Sequence, residues 1–200
     1  MSHLRPAVVL LVLFTALTGF AYPLAVTGIA KLVFAHQANG SLVETNGKVI
    51  GSELIGQNFT SDRYFHGRPS AISGPDPSDA SKTAAAPYDA SNSMGSNAGP
   101  TAKTLIDRVK GDVDALKKEN PGEPVPVDLV TSSGSGLDPH ISPAAVQFQE
   151  KRVAKARGIG ESELRALIGK HTQPRFLGLF GEPVVNVLQL NIDLDAAQKR

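Results

Sequence analysis

The pattern of apolar and polar positions divides the chain sharply near its start. From Ala7 to Ala30 the sequence AVVLLVLFTALTGFAYPLAVTGIA carries no charge, and Arg5 and Lys31 are the nearest cations on either side. As a helix this run would span about 36 Å at roughly 1.5 Å per residue, against a hydrocarbon core of about 30 Å. A secretory signal has a shorter apolar region that ends at a small-residue cleavage site. The pattern therefore predicts an uncleaved transmembrane helix over 7–30 behind a short tail at 1–6. Pro23 predicts a kink of the kind membrane helices tolerate. Thr18 and Gly19 predict a small-residue face where another helix can approach closely. No second long apolar run follows, so a single pass is expected.

Downstream the periodicity shortens. Ser41–Glu44 and Lys48–Gly51 read as strands around Asn46-Gly47, the favoured pair for a tight hairpin turn. Phe59, Tyr64 and Phe65 supply candidate core anchors. Residues 73–100 are rich in Ser, Ala, Gly, Pro and Asp and poor in aliphatics, so they read as a long excursion that depends on its surroundings for order. Pro100 is expected to open a helix whose Ala102, Leu105, Ile106, Val109, Val113 and Leu116 share one face, with a stop at Asn120-Pro121-Gly122. PVPVDLV at 124–130 reads as a short apolar strand. Ser142 and Pro143 form an N-cap and first-turn pair for a helix to Arg157, ended by Gly158. Glu161–His171 reads as a further helix, and the alternation of Leu188, Leu190, Ile192 and Leu194 with polar residues as a half-exposed strand. The prediction is an α+β fold: a single N-terminal transmembrane helix, then one compact soluble domain at 35–200 with a small sheet and about three helices.

Composition changes this picture little. A formal net charge of +1 gives no electrostatic reason to bind nucleic acid. The absence of cysteine excludes disulfides and thiolate metal sites. Positive charges flank the span almost evenly, and the very short leading tail favours a cytoplasmic N-terminus with an extracytoplasmic soluble domain.

The chemistry concentrates at Asp128–Pro143, DLVTSSGSGLDPHISP. A hydrolase would use Ser133 or Ser135 as nucleophile, His140 as base and Asp138 as its orienting carboxylate. Triad members have to converge from separate elements, and three residues in one short loop place a base poorly against both neighbours; no G-x-S-x-G elbow is present. A membrane-tethered extracytoplasmic hydrolase using Ser135, Asp138 and His140 is thus the alternative reading, behind a non-catalytic one. A phosphate-binding loop is approached only at Asn97–Thr104, where Asn97 and Ala102 replace the required glycines. His66, His140 and His171 stand at no metal-ligand spacing, so no metal site is expected. Arg68, in the run His66–Pro69, makes that run an interaction element, offering a planar donor fork for a carboxylate or for carbonyls of a partner. His66, Arg68, Ser135, Asp138 and His140 are the candidate structural or partner-contact residues, with no catalytic residue among them.

The run DLVTSSGSGLDPHISPAAVQFQEKRVAKARG at 128–158 closely resembles the C subunit of the potassium-transporting Kdp P-type ATPases. So do LTGFAYPLAVTG at 17–28, GSELIGQNF at 51–59, YFHGRPSA at 64–71, SNAGP at 96–100 and GEPVVNVLQLN at 181–191, in order along the chain. Val184 departs from the Arg expected there in that family, which weakens the case for a partner contact at that position. The resemblance implies a non-catalytic, single-pass accessory and assembly subunit of an inner-membrane complex that takes up potassium by ATP hydrolysis. It implies three partners: a channel-like potassium-binding subunit, an ATP-hydrolysing P-type subunit and a very small helical subunit. It further implies a catalytic-chaperone role that raises ATP affinity. No cofactor is bound by an evident motif, and ATP and potassium would act at the level of the complex.

Overall fold

The computed structural model describes residues 3–45 and 47–198, which fall into two compact units, Met1–Ser52 and Glu53–Arg200.

The first unit opens with a continuous helical stretch, Leu4–Val33, apolar and long enough to cross a membrane. It consists of α1 (Leu4–Ala16), a π-helical turn at Leu17–Ala21 and α2 (Tyr22–Val33). The π turn has a cause in the sequence. Pro23 has no N–H to give to the carbonyl four residues back and its ring crowds that carbonyl, so the preceding turn widens. The Tyr22 N–H accordingly bonds the Leu17 carbonyl, five residues back. Thr18 also ties its hydroxyl to the Phe14 carbonyl at 2.6 Å. The kink expected at Pro23 therefore takes the form of a widened turn. After the short α3 (Ala35–Ala38), strands β1 (Leu42–Thr45) and β2 (Lys48–Ser52) pair antiparallel. The hairpin expected here is present, although Asn46 of the predicted turn pair lies outside the described residues. Ser52 closes its base by donating to the Gly40 carbonyl at 2.7 Å.

The second unit is α+β. Its sheet has three short antiparallel strands in the order β5 (His140–Ile141), β7 (Val184–Asn186), β6 (Thr172–Gln173). A separate hairpin, β3 (Ser73–Asp76) with β4 (Asp79–Ala85), occupies the start of the 73–100 excursion. Four helices complete the unit: α4 (Lys103–Glu119), α5 (Pro143–Arg157), α6 (Glu161–His171) and α7 (Val187–Gln198). The core forms where α5, α6 and α7 meet the sheet, around Phe65, Val146, Val153, Leu164, Val185 and Leu190.

The helix at 143–157 starts and stops as its ends dictate. Ser142 accepts the Ala145 N–H at 3.1 Å, Pro143 takes the first helical position, and Gly158 closes the helix at φ 67°, a left-handed conformation glycine adopts freely. Three expectations are corrected. Leu188–Leu194 is helix α7, not a strand. Its buried positions Val187, Leu190, Asn191 and Leu194 also follow the i, i+3, i+4, i+7 pattern of one helix face, and Asn186 caps the first turn by accepting the Gln189 N–H at 3.1 Å. Residues 124–130 form no strand. Pro124 and Pro126 lack the N–H groups that strand pairing needs, and a 3-10 turn at Val127–Leu129 takes their place. The helix expected from Pro100 begins at Lys103, after a turn in which the Ala102 N–H bonds the Gly99 carbonyl at 3.0 Å.

Candidate functional site

The residues singled out in the sequence lie on two segments, 61–72 and 128–143, and the fold joins these directly. Segment 61–72 has no strand or helix to satisfy its backbone, so side chains of α5 and α7 do so instead. Arg152 donates to the carbonyls of Asp62 and Tyr64 at 2.9 and 3.0 Å. Arg157 donates to that of Arg63, Asn191 to that of Phe65 at 2.9 Å, and Gln149 to that of His66 at 3.1 Å. The same two carboxamides also accept from this stretch: Asn191 Oδ1 from the Phe65 N–H at 2.9 Å and Gln149 Oε1 from the His66 N–H at 2.8 Å. Each amide thus pairs with its backbone residue as a neighbouring strand would. Arg157 has a fully buried side chain, is paired with Asp195 at 2.8 Å, and lies 4.8 Å from the centre of the Tyr64 ring. Asp195 also accepts from the Tyr64 hydroxyl at 2.9 Å, a bond that raises the phenol pKa together with burial.

The second segment wraps around its own polar side chains. Asp128 accepts from the Ser142 N–H at 2.6 Å and from its hydroxyl at 3.0 Å, which fixes the cap of α5. Ser133 Oγ accepts the Gly136 N–H at 2.9 Å and Ser135 Oγ the Leu137 N–H at 3.1 Å. Asp138 Oδ1 accepts the His140 N–H at 3.0 Å. Arg68 then bridges the segments. It donates to Asp138 Oδ2 at 2.9 Å, to the Thr131 carbonyl at 3.3 Å and to the Ser132 carbonyl at 3.4 Å. The fork expected to reach a carboxylate or a partner's carbonyls instead takes a carboxylate and two carbonyls of its own chain. Burial alone would push the Asp138 carboxyl up, but the bonds from His140 and the Arg68 guanidinium outweigh it and hold the carboxyl below its usual range.

Tyr88 locks the excursion onto this corner. Its hydroxyl donates to the Arg68 carbonyl at 2.7 Å, and its N–H to Ser70 Oγ at 3.3 Å. The ring passes so close to Gly56 and Gly67 that a Cβ at either would stand 2.4 Å from a Tyr88 atom. Tyr88 itself sits at φ 63°, a region bulky residues avoid. Burial, with the Asp138 charge adding to it, pushes its phenol up to about 12.

Arg68, Asp138 and His140 therefore converge, beside a cavity of about 290 Å³ that Val184 also lines. His66 has its Nε2 3.0 Å from the Ser61 carbonyl and borders a second cavity, of about 450 Å³, with Arg68, Tyr88, Glu119 and Gln149. Burial pushes its imidazole pKa down and the nearby Arg152 charge adds to this, against smaller opposing pulls from the Ser61 carbonyl, Glu119 and Asp62. Among the described residues no hydrogen bond joins Ser135 to His140, and His140 Nδ1 stands 3.6 Å from Asp138 Oδ1. Among the described residues no group of His, Asp and Glu is arranged to hold a metal ion. Lys103, the lysine of the weak phosphate-loop likeness, is ion-paired with Asp107 one turn along α4.

A family model described as "KdpC: K+-transporting ATPase, c chain" matches residues 4–196. The chain belongs to this family. It is 63% identical over 198 residues, covering 99% of this chain and 100% of the relative, to the "Potassium-transporting ATPase KdpC subunit" of Rhodopseudomonas palustris (strain BisB18). It is 64% identical over 195 residues, 98% of this chain and 97% of the relative, to the protein of that name from Methylobacterium nodulans. A third of that name, from Bradyrhizobium diazoefficiens, is 62% identical over 197 residues, 98% of this chain and 98% of the relative. KdpC family members are accessory subunits of a potassium-transporting ATPase complex, and a single apolar helix near the N-terminus is consistent with a place in the membrane.

Sequence reasoning reached the corner but missed the clamp. Gln149, Arg152, Arg157 and Asn191 hold segment 61–72, and only the first and last carry a local signal. Gln149 interrupts the buried stripe of Ala145, Val146 and Val153 on α5, and Asn191 sits between Leu190 and Leu194 on the buried face of α7. A polar residue at a core position of a helix implies a partner it must bond.

Proposed function

We propose that the chain is a non-catalytic assembly subunit that raises the ATP affinity of the hydrolysing subunit by coupling through the complex, without touching nucleotide itself. Its membership of the KdpC family carries this reading, joined to an Arg68–Asp138 ion pair and a Ser135 oxygen that are engaged within the polar corner. The partners in this reading are a channel-like potassium-binding subunit, a P-type ATP-hydrolysing subunit and a small helical subunit, with ATP and potassium bound by those chains. The N-terminus lies in the cytoplasm and residues 53–200 on the outer face of the inner membrane. This is supported by the ease with which a long downstream domain crosses despite weak charge bias. The ATP effect is then reciprocal coupling between distant sites, about 1–3 kcal/mol or roughly 5- to 150-fold in affinity.

The chain contains no cysteine, so Lys110→Cys, at an exposed position of α4, introduces a single thiol. In intact cells a membrane-impermeant maleimide should label it. Labelling only after permeabilisation would overturn the outward placement and reopen direct nucleotide contact.

A further inference from the structure

Outside the apolar helix of the first unit, one feature of the second unit stands unexplained by an assembly corner. Leu54, Ile106 and Val127 are exposed singly there, which is ordinary for a protein surface. Phe176, Leu177, Leu179 and Phe180 are instead exposed together on one loop between β6 and β7, each 62–76% accessible. Contiguous apolar surface of this kind marks an interaction site.

The loop is a built element. Phe176 and Phe180 face each other in a two-residue bridge, with N–H to carbonyl distances of 2.9 and 3.0 Å in the two directions. The Gly178 N–H bonds the Arg175 carbonyl at 3.0 Å, and the Leu179 N–H bonds the Phe176 carbonyl at 3.1 Å. Left-handed conformations at Leu177, Gly178 and Gly181 tighten the turn. At its base Arg175 pairs with Glu182 at 2.6 Å, so charge is confined to the collar and absent from the tip.

We infer that this tip, Phe176–Phe180, inserts into the interfacial layer of the lipid bilayer. Three observations favour lipid over a protein pocket. The same chain carries a helix long and apolar enough to span the membrane, so the covalent chain keeps the second unit at a bilayer. The tip donates its Phe176, Gly178, Leu179 and Phe180 N–H groups internally. Pairing these donors within the turn lowers the cost of withdrawing it from water. The tip is a projecting, uncharged turn above an ion-paired collar, which suits burial by about 5–10 Å with the collar among headgroups. The inference goes beyond the ATP-coupling reading and does not depend on it.

The test uses the full chain, without other subunits, in phosphatidylethanolamine–phosphatidylglycerol vesicles. A polarity-sensitive fluorophore on Leu179→Cys is compared with the same fluorophore on Lys110→Cys. The expected result is blue-shifted emission at the tip, most of it lost when nitroxide-labelled lipids are included, with neither effect at the control position. Adding Phe176→Asp and Phe180→Asp to the Leu179→Cys chain should return its emission to that of the control. Emission matching the control from the outset overturns the inference. So does a shift that survives the two aspartates, which would trace it to the fluorophore. A shift that appears only once the remaining subunits are added assigns the tip to a protein partner and likewise overturns it.

Discussion

Asn191 is the residue whose loss most sharply tests how segment 61–72 is held. It is 1% exposed, and it spends both ends of its carboxamide on one residue, the fully buried Phe65. Asn191→Leu keeps the branched outline at a somewhat larger volume and strands a buried N–H and a buried carbonyl. At about 1–3 kcal/mol for each unsatisfied group, the cost is about 2–6 kcal/mol. Added apolar burial returns about 1 kcal/mol, which leaves a net loss of about 3 kcal/mol. Asn191→Asp gives a second handle on the same bond. Its carboxylate still accepts the Phe65 N–H but faces the Phe65 carbonyl, so the folded state favours the protonated acid, which can donate to that carbonyl. The variant carboxyl is therefore raised in the folded state. Its contribution is whole at pH below the unfolded carboxylate value and is lost as pH rises through the higher folded one, so this variant should gain stability on mild acidification. Urea unfolding of the full chain in mild detergent, followed by circular dichroism across pH, measures both effects. A loss below about 0.5 kcal/mol for Asn191→Leu, the size of an ordinary surface change, would refute the clamp. An Asn191→Asp chain that weakens on acidification would refute the assigned bond.

Other outcomes follow from the corner. A double-mutant cycle on Arg68→Ala and Asp138→Ala should give a coupling of about 1–2 kcal/mol, reduced from that of a buried pair by the partial exposure of both side chains. The Asp138 carboxyl is held low in the folded state, so its contribution is present above the unfolded value and lost as pH falls through the folded one; Asp138→Asn should flatten that acid limb of the stability profile. The Tyr88 phenol stays protonated to about 12 in the folded chain against an ordinary 10.0. Stability from it is whole below pH 10 and lost as pH rises toward about 12, and Tyr88→Phe should remove that alkaline loss. Gly67→Ala would put a Cβ 2.4 Å from the Tyr88 hydroxyl, so it should loosen residues 86–94 in hydrogen exchange while leaving α5 and α7 protected.

The elements legible in the sequence are those whose ends carry their own chemistry. Ser142, Pro143 and Gly158 bound α5, and the apolar run with Pro23 marks the long helix and its irregular turn. The region 184–198 misleads because its leucines satisfy two periods at once. The deciding feature, Asn186 turning from sheet to helix cap, is a tertiary event. By composition the 73–100 excursion is unable to order itself. Its order comes from Tyr88 lodged against two glycines far away in the chain, and from the Met94 N–H on the Ser135 carbonyl at 3.0 Å. The loop Asp128–Pro143 displays its chemistry openly. What the sequence does not display is that Arg68 arrives from another segment to neutralise it, since convergence across 70 positions leaves no local trace.

The central claim is that this chain changes how the complex uses ATP while doing no chemistry itself. It is tested most directly by the ATP dependence of potassium-stimulated hydrolysis in purified complex, prepared with the chain and without it. The account predicts an apparent KM for ATP that rises about 5-fold or more when the chain is absent, and no hydrolysis by the chain alone. An unchanged KM would contradict the coupling, and turnover by the chain alone that Ser135→Ala or His140→Ala abolishes would contradict the account as a whole.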